Sequence, residues 1–320
     1  MAPWTSGEAG APLSTRMLLD PLVITFGLGV GILIGMTGIG GGSLMTPLLV
    51  IFAGVQPHMA IGTDLAYGAV TKTLGGWRHW RKGMVDFGVS GWLALGSIPG
   101  SLIGVWLLER LDLGTETLLL CVAGALLVVA IAVLARALFM PKLVARERHA
   151  VPLDRSGKIS AVGIGLVLGF ILGLTSVGSG ALIGLALILV FKLTPHRVVG
   201  TDVFHAAVLL WVAGFAHFVS GNVDLVLMGT ILIGSLPGVW IGAGLLTRVP
   251  ANGLRPALGC VLLGSALGVA SKGGVEVPVG LIVGLPAAAA VFAWIVLHGR
   301  RPPVPEVATD PLALTTAEQP

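Results

Sequence analysis

The side chains best suited to chemistry in this sequence are ionisable groups inside long apolar stretches. Asp64 and Asp202 each follow a Gly-Thr pair, and Tyr67 and His205 stand three residues further on. A carboxylate or an imidazole in such surroundings can carry a proton, and an imidazole can also bond an oxyanion. The alternative for each aspartate is a helix N-cap, because Asp at a helix start accepts backbone N–H bonds. The alternative for His205 is a hydrogen-bonded core residue.

Lys72 adds a cation within the apolar segment 60–77. Its ammonium could offset the charge of an anionic substrate. Alternatively, its long stem could place the ammonium at the membrane interface near Arg78. We favour the second interpretation. A bare carboxylate would repel a dianion, so Asp64 and Asp202 are better suited to hold a proton or a cation than an anion.

Membrane helices must position these residues. The 320-residue chain is 55% hydrophobic and 11% charged, with a mean hydropathy of +0.97, whereas soluble domains carry about 25% charged residues. Apolar segments of roughly 20 residues, long enough to cross a bilayer, recur along it. They are continuously apolar and do not alternate, which excludes a β-barrel. The composition therefore predicts an all-α polytopic membrane protein.

The chain also contains an internal repeat. Placing Gly31 on Gly169 aligns the two halves without a gap and brings the Gly-Thr-Asp motif of Asp64 onto that of Asp202. The loop 78–82 carries three basic residues and its counterpart, 216–220, carries none. Because Lys and Arg mark the cytoplasmic side, equivalent loops face opposite sides, which is typical of an inverted repeat. A parallel duplication that lost its charges is the alternative.

A glycine-rich break interrupts the first apolar run of each repeat, at residues 37–43 and 175–181. Glycine destabilises helix interiors, and irregular backbone at membrane depth is tolerated where it is buried in protein or lines a wet cavity. The half-helix after each break directs unpaired N–H groups and a positive dipole end at it, which favours an anion. The alternative is that these glycines only permit close helix packing.

The predicted site residues fall into two groups. The predicted substrate ligands at the two breaks are Thr37, Gly38, Gly40, Gly41, Gly42, Ser43, Thr175, Ser176, Gly178, Ser179 and Gly180. The predicted proton-path or pocket polar groups are Asp64, Asp202, Tyr67, His205 and Lys72. Cys121 and Cys260 lie apart in apolar runs, and no His or Cys spacing matches a metal or haem site, so we expect no cofactor, no metal and no catalytic centre.

The predicted architecture is two inverted-topology repeats with Gly-broken helices and roughly eight to eleven membrane segments. In chain order we expect a polar N-terminal lead (1–16), membrane repeat one (17–140), a basic cytoplasmic linker (141–158), membrane repeat two (159–276), an extra membrane helix (277–299) and a disordered tail (300–320).

The motif GIGGGSLMTPLL, followed by a Pro-His turn and AIGTDLA, resembles the TauE/SafE sulfite exporter family, as does the second-half echo LTSVGSGALIG with PHRVVGTDV. The resemblance covers nearly the whole chain and implies ATP-independent efflux of sulfite or small organosulfonates across the bacterial inner membrane. Repeat two departs at Ser176, Ser179 and Leu185, where repeat one has Gly38, Gly41 and Pro47. We therefore expect the two halves to bind unequally.

The functional prediction is a secondary transporter that works by alternating access, with proton coupling as a secondary hypothesis. A permease or channel for another small anion, such as thiosulfate or a carboxylate, is the alternative. The expected partners are a small anionic substrate and the lipid bilayer, with a homodimer left open. We expect no nucleic-acid partner, because the net charge of +4 comes mostly from loop residues.

Overall fold

The computed structural model describes residues 21–37, 42–111, 113–139, 153–245 and 251–298, and within these ranges it consists of eleven helices without a strand. Six of them are long and apolar enough to cross a membrane. The prediction of an all-α, multi-segment membrane protein is confirmed. The predicted N-terminal lead, most of the basic linker and the predicted tail lie outside the described residues.

The helices are, in chain order, α1 (Pro21–Thr37), α2 (Gly42–Ile51), α3 (Pro57–Arg81), α4 (Phe87–Arg110), α5 (Thr115–Phe139), α6 (Arg155–Thr175), α7 (Ala181–Leu189), α8 (Pro195–Val219), α9 (Leu225–Leu245), α10 (Ala251–Lys272) and α11 (Val279–His298). Their boundaries follow the repeat. Helix α8 begins and ends at the repeat equivalents of the first and last residues of α3, and α9 begins at the equivalent of Phe87. Helices α1–α5 therefore correspond to α6–α10.

Packing between the equivalent helices α3 and α8 shows that the repeats are inverted. Gly68 of α3 packs against Leu210, whereas Gly75, further along α3, packs against Val203, which comes earlier in α8. The two helices therefore run antiparallel, which requires a two-fold axis perpendicular to them. Trp211 Nε1 donates to Thr73 Oγ1 at 2.8 Å, and these two residues are themselves repeat equivalents, so the axis passes between them. The parallel-duplication alternative is wrong.

Glycines bring the outer helices of the two repeats into close parallel contact. Gly31 of α1 packs on Ser235 of α9, and its equivalent Gly169 of α6 packs on Ser97 of α4. A Cβ on Gly31 would lie 2.7 Å from the Cα of Ser235, and one on Gly169 would lie 2.6 Å from the Cα of Ser97. No side chain fits there without separating the helices, so these glycines are required by packing.

The Gly-Thr part of the Gly-Thr-Asp motif joins one repeat to the other. Gly62 packs directly on the carbonyl of Asn222, and Thr63 Oγ1 accepts the backbone N–H of Asp224 at 3.0 Å. The Asp224 carboxylate in turn caps α9 by accepting the N–H of Leu227 at 2.9 Å. The repeat-equivalent contacts join Gly200 to Met84, Thr201 to Asp86 and Asp86 to Val89. The motif therefore fixes α3 and α8 against the start of the helix in the opposite repeat.

Helices α3 and α8 form the centre of the molecule. Helix α3 packs against α8, α2, α9 and α5, and its Ile61, Leu65 and Tyr67 are fully buried. Because its neighbours cover it, α3 can carry Asp64 and Lys72 without exposing them to lipid.

Candidate functional site

The second break lies between α6 and α7, as the glycines predict. The chain leaves α6 at Ser176, whose φ is 60°, and Gly178 and Gly180 both have φ of 114°, a conformation that glycine adopts most readily. Gly173, just before the break, packs on Ser101 within α4 and not beyond its end. The break therefore lies at the depth of a membrane helix. At the first break, α1 ends at Thr37 and α2 begins at Gly42.

Several predicted ligands of the first break lie outside the described residues. Gly38, Gly40 and Gly41 are in the gap 38–41, and only the backbone of Thr37 is described. Ser43, at the start of α2, is buried, and its hydroxyl has no hydrogen-bond partner among the described residues.

Asp64 connects the two repeats at the second break. Its Oδ2 accepts from Thr46 Oγ1 of α2 at 2.6 Å and from Ser176 Oγ of the break at 2.9 Å. Its Oδ1 is buried and has no hydrogen-bond partner among the described residues. The N-cap interpretation is wrong for both aspartates, because α3 begins at Pro57 and α8 at Pro195, which places Asp64 and Asp202 in helix interiors.

Lys72 is held inside the protein and does not extend to the interface. Its Nζ donates to the backbone oxygen of Ser179 at 3.2 Å and to Ser179 Oγ at 3.1 Å, and the residue is only 6% exposed. It also interacts electrostatically with Asp64 and with Asp202. The snorkelling interpretation is wrong because two carboxylates and a serine give the ammonium partners at depth.

The N-terminus of α7 lies directly beside this ammonium. The N-cap residue, Gly180, provides no side-chain bond to the helix, and Ser179, which binds Lys72, precedes it. The free N–H groups of a helix start carry partial positive charge. The positive helix end and the lysine ammonium, which meet at the same serine, repel each other. An anion placed between them would be attracted to both.

The remaining side-chain hydroxyl of the second break, that of Thr175, bonds to neighbouring backbone groups. Thr175 Oγ1 donates to the carbonyl of Ile171 at 2.6 Å and accepts the N–H of Val177 at 3.2 Å. It closes the end of α6 and is less available to a ligand than Ser179.

Tyr67 and His205 do not meet in one cavity. His205 Nε2 lies 3.2 Å from Ser97 Oγ. The equivalent Tyr67 lies near Ser235, although neither hydroxyl oxygen makes a hydrogen bond of good geometry within the described part of the chain. Thr73 and Trp211 meet at the two-fold axis, and Tyr67 and His205 each precede them in helices that run antiparallel, so the two residues are displaced from the axis in opposite directions. Each has its own serine neighbour in the opposite repeat, so they do not form a single pair.

The site is asymmetric although its frame is symmetric. The repeat equivalents of Thr46, Lys72, Ser176 and Ser179 are Gly184, Leu210, Gly38 and Gly41. The polar groups therefore gather around the second break.

Two residues near the site were not predicted from the sequence. Thr46 precedes Pro47 in an apolar run, and Arg136 of α5 interacts electrostatically with Asp202. A Cβ on Gly184 of α7 would lie 3.8 Å from Arg136 Nη1. In the sequence, Arg136 is a cation inside an apolar segment, and its repeat equivalent, Gly274, is uncharged. This difference between the repeats could have identified it.

Comparisons with known proteins agree with this picture. A family model described as sulfite exporter TauE/SafE matches residues 23–269. The chain is 37% identical over 249 residues to the probable membrane transporter protein YjnA of Bacillus subtilis (strain 168), covering 77% of this chain and 97% of that one. It is 30% identical over 251 residues to a probable membrane transporter protein of Xylella fastidiosa (strain Temecula1 / ATCC 700964), covering 74% and 89%. No solved structure matches the chain significantly.

Proposed function

Because the chain belongs to the TauE/SafE sulfite exporter family and is a multi-pass membrane transporter, we propose that it exports sulfite or a small organosulfonate across the bacterial inner membrane. The observation that carries the proposal is the contact of Lys72 with Ser179 at the start of α7. There an ammonium and a helix N-terminus, both positive, come together at membrane depth beside a glycine-rich backbone.

A small oxyanion suits this arrangement chemically. Several acceptor oxygens on one centre can accept from the ammonium, from the first N–H groups of α7 and from the Ser179 hydroxyl together. Ser43 offers a further buried hydroxyl, at the corresponding half-helix of repeat one. Glycine at positions 178 and 180 lets the anion approach the main chain without a Cβ in the way.

The contacts between the repeats support alternating access. The bonds from Lys72 to Ser179 and from Asp64 to Ser176 each join repeat one to repeat two. Movement of the second break and α7 relative to α3 would break and remake them, and the inverted symmetry supplies the two opposite openings. Binding of the anion at the break would compete with Ser179 for Lys72, which links occupancy to the movement.

Equilibrium binding to purified protein tests the proposal, with sulfite, sulfoacetate, thiosulfate, sulfate and acetate as ligands. Lys72→Met removes the proposed counter-charge, and Lys192→Met, an exposed lysine, is the matched control. A charge-assisted hydrogen bond contributes about 1.5–3 kcal/mol, so Lys72→Met is expected to weaken sulfite or sulfonate binding roughly 10- to 100-fold. Thermal unfolding and size-exclusion profiles establish that both variants are folded.

Two results would contradict the proposal. If sulfite and sulfonates bind no better than acetate, the substrate class is wrong. If they bind equally well to Lys72→Met and to the wild type, the position of the site is wrong. In proteoliposomes, saturable counterflow distinguishes a transporter from an anion channel that uses the same helix ends.

A further inference from the structure

We propose that Asp64 carries a coupling proton during transport and that its repeat equivalent Asp202 stays ionised. This inference rests on the proposed transport function and adds to it the coupling ion and its carrier. The two carboxyls occupy equivalent places in α3 and α8, and each keeps Oδ1 buried and without a hydrogen-bond partner among the described residues. Their surroundings, however, differ in charge.

Asp64 is surrounded mainly by neutral groups. Its two side-chain donors are hydroxyls, Thr46 from α2 and Ser176 from the break. The titratable or charged residues that interact with it among the described residues are Lys72 and Tyr67, both on α3 itself. Lys72 is shared, because its ammonium also binds Ser179 and interacts with Asp202. Burying an ionised carboxylate among neutral groups is costly, and a proton removes that cost.

Asp202 has a permanent cation nearby. Within the described part of the chain, the charged groups that interact with it are Lys72 from α3 and Arg136 from α5. A guanidinium does not lose its proton in proteins, so Asp202 keeps a positive neighbour even if Lys72 turns to the substrate. Among the described residues Asp64 interacts with no second cation, and the repeat equivalent of Arg136 is Gly274.

The contacts of Asp64 also explain why its proton would move with the transport cycle. One of its donors, Thr46, belongs to the same repeat, and the other, Ser176, belongs to the opposite repeat. When the second break moves relative to α3, the bond to Ser176 is lost while Asp64 stays buried in α3. Asp64 then takes up a proton, because it has lost a donor and shares with the substrate the one cation that interacts with it among the described residues. Restoring the Ser176 bond releases it.

The first test needs no substrate. Infrared difference spectra of the purified protein between about pH 6 and about pH 9, above the range in which exposed carboxyls titrate, report buried carboxyls as they lose their protons. The protonated-carboxyl band is expected in the wild type, absent in Asp64→Asn and retained in Asp202→Asn. Thr46→Val keeps the carboxyl but removes one hydroxyl donor, and it is expected to shift the pH at which the band disappears.

The second test uses proteoliposomes with sulfoacetate, whose charge does not change near neutral pH. In the wild type a proton gradient changes the rate of net transport. In Asp64→Asn the ratio of the transport rates with and without the gradient is expected to fall to one. Size-exclusion profiles and thermal unfolding establish that the variant is folded.

The outcomes separate this inference from the proposed function. A carboxyl band that survives in Asp64→Asn, or gradient-driven transport by that variant, overturns the proton-carrier assignment. If the band is lost in Asp202→Asn and kept in Asp64→Asn, the proton belongs to Asp202, and the assignment to Asp64 is overturned. If the wild type neither binds nor exchanges any anion tested, the proposed function fails, yet the infrared result still decides whether Asp64 holds a proton.

Discussion

Adding one methyl group at Gly169 tests how closely α6 packs against α4. Gly169→Ala places a Cβ 2.6 Å from the Cα of Ser97 and closer still to its carbonyl oxygen. Gly163→Ala, in the same helix α6, is the matched control, because a Cβ there has open space around it. Both variants change the same residue type in the same helix, so they differ mainly in what the methyl meets.

The expected difference follows from these distances. Ordinary contact begins near 3.4 Å, so α6 and α4 must separate by about 3.4 − 2.6 = 0.8 Å at Gly169. Overpacking of this kind costs about 1–3 kcal/mol, whereas Ala in place of Gly in an unhindered helix gains up to about 1 kcal/mol. The helix-propensity gain is common to both variants and cancels, so they should differ by the overpacking cost of about 1–3 kcal/mol, or on the order of 5 °C in melting temperature.

Thermal unfolding in detergent, followed by tryptophan fluorescence, measures this difference. Gly31→Ala and Gly29→Ala repeat the comparison in α1, because a Cβ lies 2.7 Å from Ser235 Cα in the first case and meets nothing in the second. Lower melting temperatures are expected for Gly169→Ala and Gly31→Ala. Equal melting temperatures within each pair would refute the close contact of α6 with α4 and of α1 with α9.

Two further predictions concern topology and the first half-helix. In a background without Cys121 and Cys260, Lys82→Cys and Ser220→Cys are repeat equivalents, and we expect a membrane-impermeant maleimide to label them from opposite sides; labelling from one side would contradict the inversion. Lys272 Nζ donates to the last carbonyls of α2 at 3.0 and 3.2 Å, so Lys272→Met should lower stability by about 0.5–1 kcal/mol in thermal unfolding. Lys272→Arg should restore it, and a fully stable Lys272→Met would show that these bonds contribute nothing.

The sequence predicted the architecture because its main determinants are local or periodic. The gapless alignment of the two halves, the paired glycine breaks and the charge difference between equivalent loops all agree with the folded chain, where α3 and α8 run antiparallel. The predicted apolar segment 60–77 starts a few residues after α3 does, at Pro57. The Pro-His pairs resemble turns in the sequence, although the fixed φ of proline favours a first helical position. A helix that is predicted to begin too late has its aspartate close to the predicted helix start, where an N-cap is plausible.

The partners of the site residues could not be predicted from local sequence. Lys72 binds Ser179, which is 107 residues away, and Asp64 binds Ser176, which is 112 residues away. These contacts depend on how deeply the second break enters the bundle, and this depth is set by glycine packing between α6 and α4. Without that depth, the shortest path for a lysine in an apolar helix is toward water, and snorkelling is the reasonable expectation.

The asymmetry of the site comes from matched differences between the two repeats. Lys72 of α3 binds Ser179 of the second break, whereas its equivalent Leu210 of α8 packs against Gly68 of α3. The repeat equivalent of Ser179 is Gly41, which has no hydroxyl. A lysine at position 210 would therefore lose the packing against Gly68 and would have no equivalent of the Ser179 hydroxyl as a partner. The cation and its serine partner differ together between the repeats, so this polar contact is built at the second break alone among the described residues.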